Sequence, residues 1–170
     1  MKNLSTQAIQ ETIQRLSEPR VKYRVELAST TEVAKDIIDS LPGVKQLKEN
    51  GPAAEKVVLA LLQDEKTLED ENLTAISLHI LKSYPSERVK LALAKPISER
   101  RFTGFNSQFA AETFLKAAGI ETLSKDAIRV ALREAKKIQA SHREKAQIDK
   151  KHYAAKEGKR YKKKSLAVKK

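Results

Sequence analysis

The run Arg100-Arg101-Phe102-Thr103-Gly104-Phe105 sets two guanidinium groups beside two aromatic rings. Cations interleaved with aromatics can hold phosphates while bases stack on the rings. All four phenylalanines, Phe102, Phe105, Phe109 and Phe114, fall within 13 residues, and two readings of the cluster stand side by side. It is a nucleic-acid contact through Arg100, Arg101, Phe102 and Phe105, or it is a set of plugs where a helical body meets its last helix. The second reading weighs more, because a chain without Trp has few other bulky side chains. A second concentration of chemistry lies further on, at Lys136, Lys137, Arg143, Lys145, Lys150, Lys151 and Lys156, followed by the dense run Lys159-Arg160-Tyr161-Lys162-Lys163-Lys164. Each phosphate neutralised by such a cation releases counterions, so binding through this arm would depend steeply on salt and little on base sequence. Tyr161 adds a stacking face among five bases.

No other grouping suggests catalysis. The acidic stretch Asp64, Glu65, Glu69, Asp70, Glu71 lacks the alternating ligands, central glycine and closing glutamate of a calcium loop, and reads as a solvated turn with helix caps. His79, His142 and His152 are far apart and have no ligand-spaced partners; His79 is expected to be a packed, hydrogen-bonded core histidine. Ser83 and Ser86 have no histidine that the sequence can place beside them. There is no phosphate-binding glycine loop and no nucleophile elbow. We expect neither an enzyme nor a metal or cofactor site.

The cations are not evenly spread. Residues 134–170 hold 14 of the 34 Lys/Arg and only 4 of the 22 Asp/Glu, leaving the first 133 residues almost neutral. So steep an asymmetry implies a basic arm on a neutral scaffold with an anionic partner. The chain has no Cys, which excludes a disulfide framework and thiolate zinc sites and fits a reducing compartment. The N-terminal stretch has no apolar core of the signal-peptide kind. The longest apolar run, Val57 to Leu62, is far short of the ~20 residues that cross a bilayer. The expectation is a protein of the cytoplasm, nucleus or nucleoid, neither secreted nor membrane-bound.

Helices must position these groups. Only 5% of residues are aromatic and there are five Gly and five Pro, too few turn residues for an all-β sandwich. Ser5-Thr6 can cap a helix whose Ile9, Ile13 and Leu16 share one face. Val21, Tyr23 and Val25 alternate as a short strand would, yet with no second strand to pair with, helix is preferred. Thr30-Thr31 can cap the next helix, with Val33, Ala34, Ile37, Ile38 and Leu41 on one side, stopped by Leu41-Pro42-Gly43. Asn50-Gly51-Pro52 marks another break. Ser124 and Asp126 open a last helix whose stripe Ile128, Ala131, Leu132, Ala135, Ile138 would dock on the body. With no Gly or Pro before Gly158, that helix could run to about residue 157, on the order of 50 Å.

The chain also repeats itself. Glu55-Lys56-Val57-Val58-Leu59-Ala60-Leu61-Leu62 is echoed 32 residues later by Glu87-Arg88-Val89-Lys90-Leu91-Ala92-Leu93-Ala94, and Leu73, Ala75, Leu78 and Leu81 correspond to Phe109, Ala111, Phe114 and Ala117 at an offset of 36. Helix-pair units of this length mark an α-solenoid. Through Gly51-Pro52-Ala53-Ala54, the run Val57 to Leu62, the turn Asp64-Glu65, and Asp70 leading into Leu73, Thr74 and Ala75, residues 30–120 resemble the HEAT-like helical repeats. The resemblance departs at Leu73, where such repeats often carry Arg, and in the longer second turn. It implies an all-α scaffold and leaves function open.

The sequence thus divides into a helical-repeat domain at 1–138, a basic helical extension at 139–157 and a basic flexible tail at 158–170. The function expected is non-enzymatic binding of nucleic acid or a ribonucleoprotein surface through the arm. The alternative is a protein-interaction adaptor whose tail tunes solubility or targeting.

Overall fold

The computed structural model describes residues 4–16, 18, 28 and 30–167, without the side chains of Ser124 and residues 155–167. Among the described residues the regular structure is all helix, with no strand. In chain order the helices are α1 (Thr6–Leu16), α2 (Thr31–Ser40), α3 (Val44–Glu49), α4 (Pro52–Gln63), α5 (Glu65–Glu69), α6 (Glu71–Leu81), α7 (Glu87–Ser98), α8 (Gly104–Ala117) and α9 (Ser124–Ala167). The all-α class read from the sequence is the class observed. The Val21–Val25 alternation lies outside the described residues.

Local chemistry sets the helix ends. Backbone N–H groups of Val33, Leu73 and Val89 donate to the side chains of Thr30, Asp70 and Ser86, and Ala8 donates to Ser5 Oγ at 3.2 Å. Each such cap is worth about 1 kcal/mol. Asp64 caps α5 and Asp70 caps α6, so the acidic stretch does supply caps but folds as a five-residue helix rather than an open turn. Pro52 starts α4 at a position where its missing N–H costs nothing. Gly43 has φ 90°, and a Cβ there would lie 2.4 Å from Thr12 Cγ2. The glycine both turns the chain into α3 and lets α1 approach.

The centre of the core is α6, whose residues from Asn72 to Leu81 are all buried. Helix α4 packs on α6, α6 on α8 and α7 on α8; α1 covers α4, and α2 and α3 close over α6. The first turns of α9 lie across α7 and α8. Buried polar groups bridge the layers: Thr113 Oγ1 donates to Leu78 O at 2.9 Å and Asn106 Nδ2 to Glu71 O at 3.0 Å.

Burial follows a different offset from the repeated letters. Ala54, Val58, Leu59 and Leu62 face inward on α4, as Val89, Leu93, Ala94 and Ile97 do on α7, a displacement of 35 residues. The hydrogen bonds from Thr113 and Asn106 span the same 35. The octets that match at 32 are therefore about one turn out of phase: Leu59 is 9% exposed and its lettered counterpart Leu91 is 40% exposed. Likewise, Val33 on α2 is an exposed residue while Ala34, Ile38 and Leu41 are buried.

On α9 the docking stripe is Ala127, Ala131 and Ala135, flanked by the partly buried Val130 and Ile138. Ile128, expected in that stripe, is 45% exposed. Alanine lets α9 lie close on α7 and α8, and the large side chains fall to either side. Gly158 does not end the helix, which continues to Ala167, beyond the boundary at 157. A lone glycine costs a helix about 1 kcal/mol without stopping it.

Candidate nucleic-acid interface

Beyond Ile138 no apolar residue of α9 among the described residues packs against the core, and every residue from 140 to 154 is exposed. A helix turns about 100° per residue, so steps of seven return to nearly the same face. Arg129, Lys136, Arg143 and Lys150 accordingly form one row, about 30 Å long, on the side opposite Ala127, Ala131 and Ala135. Arg133 and Lys151 flank the row, and Lys145 stands on the other side of the helix. Lys137 is paired with Glu134 at 2.8 Å. The row residues make no ion pair among the described residues, so their charge is available to an anion. Lys156, Lys159, Arg160, Tyr161, Lys162, Lys163 and Lys164 lie on the same helix, and their side chains fall outside the described set.

The basic loop divides. Phe102, Phe109 and Phe114 are buried; Phe102 faces the first turns of the last helix, as a plug there would, whereas Phe109 packs against His79 of α6, and the buried Phe102 ring is not offered to a base. Phe105 is exposed. Arg101 Nη2 lies 3.8 Å from Glu65 Oε1, a solvent-exposed pair of small worth. Arg100 has φ 55°, in the left-handed region. Its N–H bonds Ile97 O, and the N–H of Arg101 bonds Pro96 O, the paired bonds that close a helix through a left-handed residue. Glycine ordinarily fills that place; an L side chain there costs roughly 1 kcal/mol.

Arg100 points to the first turns of α9. With Lys125 and Arg129 it lines an open groove of about 460 Å³ between α7, α8 and α9. Arg129 is also the first member of the cationic row, so the loop and the arm, read separately from sequence, adjoin in space. Sequence reasoning missed Lys125 and Arg129, which seven-residue spacing back from Lys136 would have suggested for Arg129. It also passed over Tyr153, 73% exposed on the arm, a ring free to stack.

Two further polar clusters belong to the body. Glu112, little exposed on α8, accepts from Lys35 Nζ at 3.0 Å, Lys82 Nζ at 2.5 Å and Gln108 Nε2 at 2.9 Å. Burial works to raise its pKa, but these donors outweigh it and hold the carboxyl at about 2. His79 is buried with its ring against Phe109, and its Nε2 lies 2.9 Å from both Asp39 Oδ1 and Lys48 Nζ. Its Nδ1 is buried without a partner, so the expected packed histidine is hydrogen-bonded on one side only. Burial, aided by the Lys48 charge, lowers the imidazole pKa. Among the described residues no group of three or more His, Cys, Asp or Glu could hold a metal ion, and no helix is long and apolar enough to cross a membrane.

No family model, no curated protein and no solved structure matches the chain.

Proposed function

We propose that this chain is a non-enzymatic binding protein that engages nucleic acid, free or on a ribonucleoprotein surface, through the exposed length of α9. The observation that carries the reading is the row Arg129, Lys136, Arg143 and Lys150 on a helix whose residues 140 to 154 are all exposed. A membrane surface suits it less, because a helix lying in the interface needs a broad face of large apolar residues opposite its cations. Here the exposed stretch offers only Ile148 and Tyr153 as large apolar groups. The body serves as the scaffold. Its pairs α4/α6 and α7/α8, with α6 against α8, support a HEAT-like repeat. Such a protein would act where nucleic acid is met, in the cytoplasm, the nucleus or the nucleoid.

Removing residues 141–170 tests the reading. Fluorescence anisotropy with a 20-base-pair duplex and a structured RNA at low salt is expected to show at least a tenfold loss of affinity. Unchanged affinity for both would overturn the proposal.

A further inference from the structure

We infer that the groove between α7, α8 and the first turns of α9 is a docking site for an acidic, amphipathic segment of a partner protein, adjoining the nucleic-acid surface of the arm and sharing only Arg129 with it. The groove has an apolar floor formed by Ile97, Phe102, Ala111 and Leu132, and Ile128 stands at its edge. Phosphate backbones require no such floor, whereas the apolar face of a peptide helix does. Around the floor stand three cations, Arg100, Lys125 and Arg129, and among the described residues no carboxylate lines the groove. Apolar side chains set on the floor would bring neighbouring Asp or Glu side chains against these cations. That pairing fixes the sign of the partner's charge and excludes a second basic arm as occupant.

Arg100 provides an independent pointer. It occupies the left-handed position at the end of α7, φ 55°, where glycine would sit without strain. Strained backbone retained at a cleft is characteristic of binding sites. The side chain held there lines the groove, so the strain is matched by a charge placed where the partner would lie. Ile128 gives a second pointer: a large apolar residue, 45% exposed, in a helix whose fully buried residues are alanines.

The experiment selects 16-residue peptides from a displayed random library on the full-length chain at 0.3 M salt, where the arm's surface charges are strongly screened. Enriched sequences are expected to combine apolar residues at i, i+3 or i+4 and i+7 with at least three Asp or Glu. Their Kd, measured by anisotropy, is expected to rise at least tenfold for Ile128→Glu and for Arg129→Glu, and less than twofold for Lys150→Glu. Arg100→Gly separates binding from folding: peptide affinity is expected to fall at least threefold while Tm rises by about 2–4 °C. The inference is overturned if no acidic sequence is enriched. It is also overturned if Lys150→Glu weakens the peptides as much as Ile128→Glu, or if Arg100→Gly raises Tm with peptide affinity unchanged. A matching loss of affinity for a 12-nucleotide oligomer in Ile128→Glu would make the groove part of the nucleic-acid surface and overturn it likewise.

Discussion

Glu112 carries a large electrostatic effect in the body. Its carboxylate draws Lys35 of α2 and Lys82, just past α6, onto α8, and its folded pKa of about 2 lies below the ordinary 4.5. A depressed carboxylate pKa contributes stability that is fully present above 4.5 and is lost as pH falls toward 2. Replacing Glu112 with Gln is therefore expected to cost about 2 kcal/mol at pH 7, measured by urea denaturation, and to flatten the loss of stability between pH 4.5 and 2. His79 acts in the same direction at milder pH. Its folded pKa is lowered below 6.5, so its contribution is present above 6.5 and declines as acidification charges the buried ring. Neither cluster was legible in the sequence, because Glu112 lies 77 residues from Lys35 and His79 lies 40 from Asp39. The caps at Ser5, Thr30 and Asp70 were legible, since a cap acts on the N–H two or three residues ahead and needs no tertiary partner.

At the scale of the element, α9 is one helix with two environments. Through Ile138 it is part of the core; from 140 to 154 it is exposed all round. Removal of residues 141–170 takes away no buried apolar residue of the described core. Tm of the truncated chain is expected to stay within about 2 °C of the full chain, as judged by calorimetry, whereas Ala131→Asp should cost 3 kcal/mol or more by burying a charge against α7 and α8. The division at residue 138 could be read from the sequence, because the apolar stripe thins there. The rotation of that stripe could not. The stripe read from sequence, Ile128, Ala131, Leu132, Ala135 and Ile138, holds two of the buried alanines and Ile138 but misses Ala127 and wrongly includes the exposed Ile128; close helix packing at an interaxial distance of 8–10 Å favours alanine. The displaced isoleucine is what gives the groove its edge. Gly43 shows the same principle: φ 90° and the Thr12 methyl standing where a Cβ would have to go mean that Gly43→Ala is expected to destabilise by about 2 kcal/mol, again read by denaturation. As a sequence, Leu41-Pro42-Gly43 announced only a stop; α3 beyond it was not foreseen, because six residues are too few to show a period.

Across the whole molecule, charge and fold are segregated. The almost neutral body holds the apolar core, and the excess of Lys and Arg lies from residue 134 onward. This much is composition, and the sequence displayed it directly. The stacking order of the helices was accessible only in outline: identical letters 32 residues apart suggested one register, and burial sets another at 35. Sequence similarity reports shared composition, whereas the core selects by the angle at which each residue meets its neighbour. If the row on α9 neutralises phosphates one by one, the plot of log K against log salt for duplex DNA should lose about 0.9 in slope for each of Lys136, Arg143 and Lys150 changed to Gln. Unchanged slopes would show that those side chains do not reach the backbone.

The length of α9 has one more consequence. A helix of 44 residues extends about 65 Å, several times the roughly 8 Å over which charges sense one another at physiological ionic strength. Neutral mass at one end and positive charge toward the other give the molecule a large permanent dipole. In the field of a polyanion it would rotate to arrive arm first, with the body held outward. Charge changes on the far side of the body would then leave capture almost untouched. What the body presents would be displayed away from the polyanion, free to meet a partner of its own.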